Sequence, residues 1–171
     1  MKLIKEDITF NDLSVITEGK TEKKKYIQGP FLQAQKENRN GRIYPQHVMD
    51  QAVEKYTKDY ISQNRALGEL NHPAEPTVNP ERAAIMTKSL TRDGYYYNGK
   101  AQVLSTPMGK IVENLLDDGV KIGVSSRGLG SLKMNRNGYN EVQEDFVLTT
   151  AADVVFDLSL IHISEPTRLS V

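Results

Sequence analysis

Apolar positions along the chain fall at two periods, and the alternation between them outlines the elements. The run Tyr26-Ile27-Gln28-Gly29-Pro30-Phe31-Leu32-Gln33-Ala34 is β-prone, with Gly29-Pro30 bending it or marking an edge. Asn38-Arg39-Asn40-Gly41-Arg42 is a turn by composition. Pro45 then opens a helix over 45–62, where Val48, Met49, Ala52, Val53 and Tyr56 make an apolar stripe. The proline-rich stretch from Asn64 to Pro80 reads as loop or short strand. Two β-prone runs, 83–90 and 95–104, flank Arg92-Asp93-Gly94 and predict a hairpin. Thr106-Pro107 caps and starts a second helix that carries Ile111, Leu115 and Leu116 and ends at Gly119. A second hairpin spans 120–134 and 139–148 around Asn135-Arg136-Asn137-Gly138, and a last strand runs from Ala151 to Phe156. Six strands and two helices, joined mostly as hairpins, imply an α+β domain: a mostly antiparallel sheet or barrel with two flanking helices. Residues 1–23 are polar with scattered apolar positions and read as a loosely attached arm.

At 171 residues the chain is long enough for one domain with a substantial core. Lys plus Arg and Asp plus Glu balance at 22 each, which argues against a charge-driven partner such as nucleic acid or an acidic membrane. No apolar run approaches the roughly 20 residues of a membrane span, and the start lacks the apolar core of a signal peptide. Cysteine is absent, which removes disulfides, thiol nucleophiles and thiolate metal sites. The scattered histidines cannot supply a zinc ligand set, so no metal and no cofactor is expected.

The candidate chemistry lies in two short words, Gly68-Glu69-Leu70-Asn71-His72-Pro73 and Gly123-Val124-Ser125-Ser126-Arg127-Gly128. Strand alternation puts Val120, Ile122, Val124 and Ser126 on one face and Lys121, Gly123, Ser125 and Arg127 on the other. With the valine face on the core, Ser125 would point into an accessible groove and Ser126 inward. A serine hydroxyl needs a base to become a nucleophile. His72 lies in a Pro- and Gly-bounded loop, whereas His47 sits near a helix start and suits a surface role. Asp153 interrupts an apolar strand, where a carboxylate is costly unless paired, and an imidazole would pair it; Glu69 is the alternative orienting carboxylate. Arg127 either holds a water or carbonyl that stabilises an oxyanion or makes a surface ion pair. Glycines 123, 128 and 130 would admit a substrate backbone and free amides for that oxyanion. The word is not a nucleophile elbow, since Arg127 rather than glycine stands two residues after Ser125.

These words, together with Asn38-Arg39-Asn40-Gly41-Arg42-Ile43-Tyr44-Pro45 and the continuation Leu129-Gly130-Ser131-Leu132, resemble the prohead core proteases of large tailed phages, whose fold is similar to that of herpesvirus assemblins. The resemblance runs from about Lys25 to Asp157. It implies a serine endopeptidase in which His72 is the general base, Ser125 the nucleophile, and Asp153 the third member, with backbone amides near Arg127 and Gly128 at the oxyanion. It also implies cleavage of scaffold, core and major capsid proteins after glutamate inside the prohead, within the bacterial cytoplasm, followed by self-cleavage. Self-association is a further expected contact, and neither membrane nor nucleic acid is required. A non-catalytic capsid-core protein of the same fold is the rival expectation. A nucleic-acid binder using Arg39, Arg42 and Lys20 to Lys25 is disfavoured by the charge balance.

Leu158 to Arg168 resembles a translated transposon-type sequencing adapter over eleven consecutive residues. The expected organisation is therefore an arm over 1–23, a C-terminally truncated protease domain over 24–157, and a foreign tail over 158–171, with the natural chain continuing beyond Asp157.

Overall fold

A computed structural model describes residues 1–8, 13–71 and 74–156. The expected foreign tail therefore lies outside the described residues. Among the described residues the predicted alternation becomes three sheets, mostly antiparallel, with no closed barrel. In the first sheet, β8 (Gly123–Gly130) lies between β1 (Lys2–Ile8) and β11 (Val147–Val155), antiparallel to both. The second is a five-stranded sheet in the order β2 (Ser14–Glu18), β3 (Lys24–Gln33), β7 (Tyr96–Val103), β6 (Ala83–Asp93), β5 (Leu67–Glu69). The third is small: β4 (Arg42–Ile43), β10 (Asn140–Val142) and β9 (Leu132–Met134).

The segment expected as an arm is built into the fold instead, since β1 pairs with β8 from Val124 to Gly130 and β2 pairs with β3. Its alternation is weak because an edge strand takes its place from backbone pairing as much as from side-chain burial. The last strand also differs from expectation. It runs unbroken from Val147 to Val155, and the interruption lies earlier, where the Phe146 amide closes a turn on the Gln143 carbonyl (3.1 Å).

Helix α1 (Gln46–Tyr56) buries Val48, Met49, Ala52, Val53 and Tyr56, the predicted stripe, and continues as a π-helical turn over Thr57–Ile61. Helix α2 (Pro107–Asp117) starts at the expected cap, the Thr106 hydroxyl accepting from the Gly109 amide at 3.1 Å. Its inward side is carried by Gly109 and Val112, while Ile111 is 43% exposed, against expectation. The helix lies so close that a Cβ at Gly109 would stand 2.0 Å from the Leu104 carbonyl oxygen, and of the expected stripe Leu116 packs partly buried against the core. No described helix is long and apolar enough to cross a membrane.

One feature places the two chemical words together. Strand β5 approaches β11 so closely that a Cβ at Gly68 would stand 1.9 Å from the Ala152 carbonyl oxygen. Just beyond β5, Leu70 forms a parallel bridge to Val154, and the Asn71 amide donates to the Val154 carbonyl at 2.7 Å. Val154 is in turn paired with Val124. Leu70, Val154 and Val124 therefore form one row across the seam between two sheets, with two strand spacings, about 10 Å, separating the outer members.

Candidate active site

Ser125 stands in the middle of β8, opposite Asp7 on one side and Asp153 on the other. Directly paired residues of antiparallel strands present side chains to the same face, so Asp7, Ser125 and Asp153 share one side of the sheet with Arg127 two residues on. The groove expected in front of Ser125 is closed. Ser125 is 0% exposed, Ser126 is buried as well, and the Ser125 Oγ is without a hydrogen-bond partner among the described residues. Strand β8 is paired along both edges, and every one of its residues but Leu129 is buried.

Arg127, Asp153 and Glu69 are all 0% exposed and hold one another. Arg127 Nε donates to Asp153 Oδ2 at 2.7 Å, and Nη2 donates to Asp153 Oδ1 at 3.0 Å and Glu69 Oε2 at 3.1 Å. Nη1 reaches the carbonyls of Glu75 (2.8 Å) and Thr77 (3.2 Å), in the loop that follows the histidine word. Asp153 Oδ1 also accepts from the Glu69 backbone amide at 2.9 Å. Glu69 is completed by Arg82 Nε on Oε1 (3.2 Å) and the Asn79 amide on Oε2 (3.2 Å), and Arg82 Nη2 caps the Leu70 carbonyl at 3.3 Å. Burial of such charges is tolerable only with this degree of pairing.

Asp153 is thus paired by Arg127 and the Glu69 amide, whereas the partner expected for it was an imidazole. Arg127 makes no surface ion pair: its three guanidinium nitrogens are engaged inside the protein, Nη1 on two backbone carbonyls. Burial pushes the Asp153 carboxyl up to about 6, against the opposing pull of the Glu69 amide and Arg127. Gly128 is required by packing: a Cβ there would meet the Phe146 ring at 2.4 Å. His47 is a surface residue whose Nε2 lies 3.1 Å from Glu144. His72 lies outside the described residues, but the chain on its N-terminal side is anchored by Asn71 to β11, and Asn71 adopts a left-handed φ of 68°. No cluster of ligands able to hold a metal occurs among the described residues.

Arg82 and Asp7 were not singled out from sequence. Arg82 follows a proline-rich loop like many surface cations, and Asp7 lies in the stretch read as an arm. What the site offers chemically is a covered hydroxyl on a rigid central strand and a loop fixed by a buried ionic lattice about two strands away.

Residues 12–163 match the family described as prohead core protein serine protease. The prohead core protein protease of Enterobacteria phage T4 is 40% identical over 134 residues, which is 77% of this chain and 63% of that protein. The chain therefore matches less than two thirds of that relative's length. The structure of the bacteriophage T4 capsid assembly protease is similar over 90% of this chain and 97% of that one, with a TM-score of 0.84 and 34% identity.

Proposed function

The chain belongs to the prohead core protein serine protease family, and from that premise we propose a serine endopeptidase that processes the scaffold, core and major capsid proteins of a phage prohead, cutting after glutamate and finally cutting itself. Ser125 Oγ attacks the scissile carbonyl while His72 takes its proton and returns it to the departing amine. Water then releases the acyl-enzyme, with His72 again as base. The observation that supports this reading is the row Leu70–Val154–Val124, which brings the chain at Leu70, two residues before the histidine, and Val124, which precedes Ser125, to the same seam.

The orienting role of Asp153 is exercised through the Glu69 amide and Arg127, which fix the chain on both sides of the histidine word. Oxyanion stabilisation falls to backbone amides near Arg127 and Gly128. Because β8 is paired on both edges and Ser125 is covered, catalysis requires an edge to open. Strand β1, paired on one side only, is the element whose departure would expose the hydroxyl and free the amides facing that edge. The reaction is proposed to run inside the prohead, in the host cytoplasm, with protein substrates and self-association as its only partners.

The test compares wild-type protein with Ser125→Ala and His72→Ala on purified prohead core proteins, followed by gel and mass spectrometry. Each substitution should lower processing by roughly 10⁴-fold or more. Equal processing by wild type and Ser125→Ala would leave only the architectural role in capsid assembly.

A further inference from the structure

The turn Asn38 to Tyr44 does more than reverse the chain. Asn38 Oδ1 accepts from the amides of Asn40 (2.9 Å) and Arg42 (3.1 Å), a geometry that turns three side chains toward β1. All three converge on one carboxylate. Asn40 Nδ2 donates to Glu6 Oε2 at 2.7 Å, the Tyr44 hydroxyl donates to Glu6 Oε1 at 2.8 Å, and Arg42 Nε donates to the same oxygen. Arg42 Nη2 also holds the carbonyl of Lys5 at 2.7 Å, so the turn grips the peptide backbone beside the side chain it reads. Burial, and then the Glu6 charge, hold the Tyr44 hydroxyl well above the ordinary phenol range, which keeps it a donor.

The gripped strand is the one lying along the nucleophile. Glu6 pairs with Ser126 and Asp7 with Ser125, so Glu6 precedes the residue in register with the hydroxyl. An extended peptide hydrogen-bonded to a sheet edge is a general way of presenting a substrate, with pockets reading alternate side chains. Beside the grip opens a cavity of about 260 Å³ lined by Glu6, Asp7, Phe31, Leu32, Arg39 and Tyr44.

We propose that Asn40, Arg42 and Tyr44 form the subsite that reads the side chain on the acyl side of the scissile bond, that it takes a glutamate, and that Glu6 is its resident occupant. The assignment rests on Ser125 being the nucleophile. Two hydrogen-bond donors on neutral groups and one guanidinium suit a carboxylate, whereas glutamine would set its own amide N–H groups against them. A clasp that merely fastened β1 to the fold would show no preference between the two in an added peptide.

The deciding measurement uses the full chain and two peptides copying residues 1–12, one with Glu and one with Gln at position 6, and reads cleavage after that position as kcat/KM. Wild type should favour the Glu peptide by about 100-fold. Arg42→Gln and Asn40→Ala should shrink that ratio by at least about tenfold. Tyr44→Phe, which deletes one hydroxyl and spares the packing of the ring on Phe146, should shrink it less and guards against misfolding of the others. An undiminished ratio in folded Arg42→Gln and Tyr44→Phe, or equal cleavage of both peptides by wild type, overturns the subsite while leaving the protease reading intact. Cleavage that persists in Ser125→Ala overturns the protease reading itself.

Discussion

At Asp153, burial and pairing pull the proton in opposite directions, and burial prevails, lifting the carboxyl from the usual 3.8 to about 6. A folded-state value above the unfolded one means that the folded protein binds the proton more tightly. The contribution is therefore fully present below about pH 4 and lost as pH rises through 6. Over that window it is worth roughly 3 kcal/mol. Asp153→Asn, which carries no such proton, should be most destabilised relative to wild type near pH 4 and progressively less toward pH 7. Paired thermal melts across that range would check this, and a difference that grows with pH would contradict it. The sequence marked this residue correctly as a buried carboxylate in need of a partner. The partner it suggested was an imidazole rather than Arg127 and the Glu69 amide, because these are brought to it by strand register across two sheets, and register is not written in any single strand.

Between elements, the decisive contact is the one glycine permits at Gly68. Any side chain there would collide with the Ala152 carbonyl, so Gly68→Ala should either separate β5 from β11 or unfold their seam. A loss of roughly 2–4 kcal/mol in denaturant unfolding is expected, together with a fall in activity larger than the remaining folded fraction explains. Unchanged stability would mean that β5 can shift freely. Elements with strong local patterns were legible in advance: the α1 stripe, the Thr106 cap and the Asp93-Gly94 hairpin all form as their residues suggest. Those that depend on distant pairing were not. Strand β1 has a mixed series of lysines, acids and aliphatics that means little until β8 lies beside it, and Ile111 failed as a core residue because the close approach at Gly109 selected Val112 instead.

Across the molecule, stability should be graded from the centre of the first sheet outward. Strands β8 and β11 are nearly wholly buried, while β1 is held along one edge. Amide hydrogen exchange should show Lys2 to Ile8 opening well before Val124 to Gly128, by sub-global rather than complete unfolding. Identical protection for both strands would mean that the covered serine is reached only through global opening, and the edge-departure route in the proposed mechanism would fall.

The row of three residues that joins the sheets has a consequence for the order in which a ribosome delivers this chain. Leu70 and Val124 emerge first but have nothing to meet on until Val154 follows them. A nascent polypeptide bearing both chemical words therefore cannot close this row until nearly all of the described sequence has been translated, and a product that stops before that last strand has no middle member through which to close it.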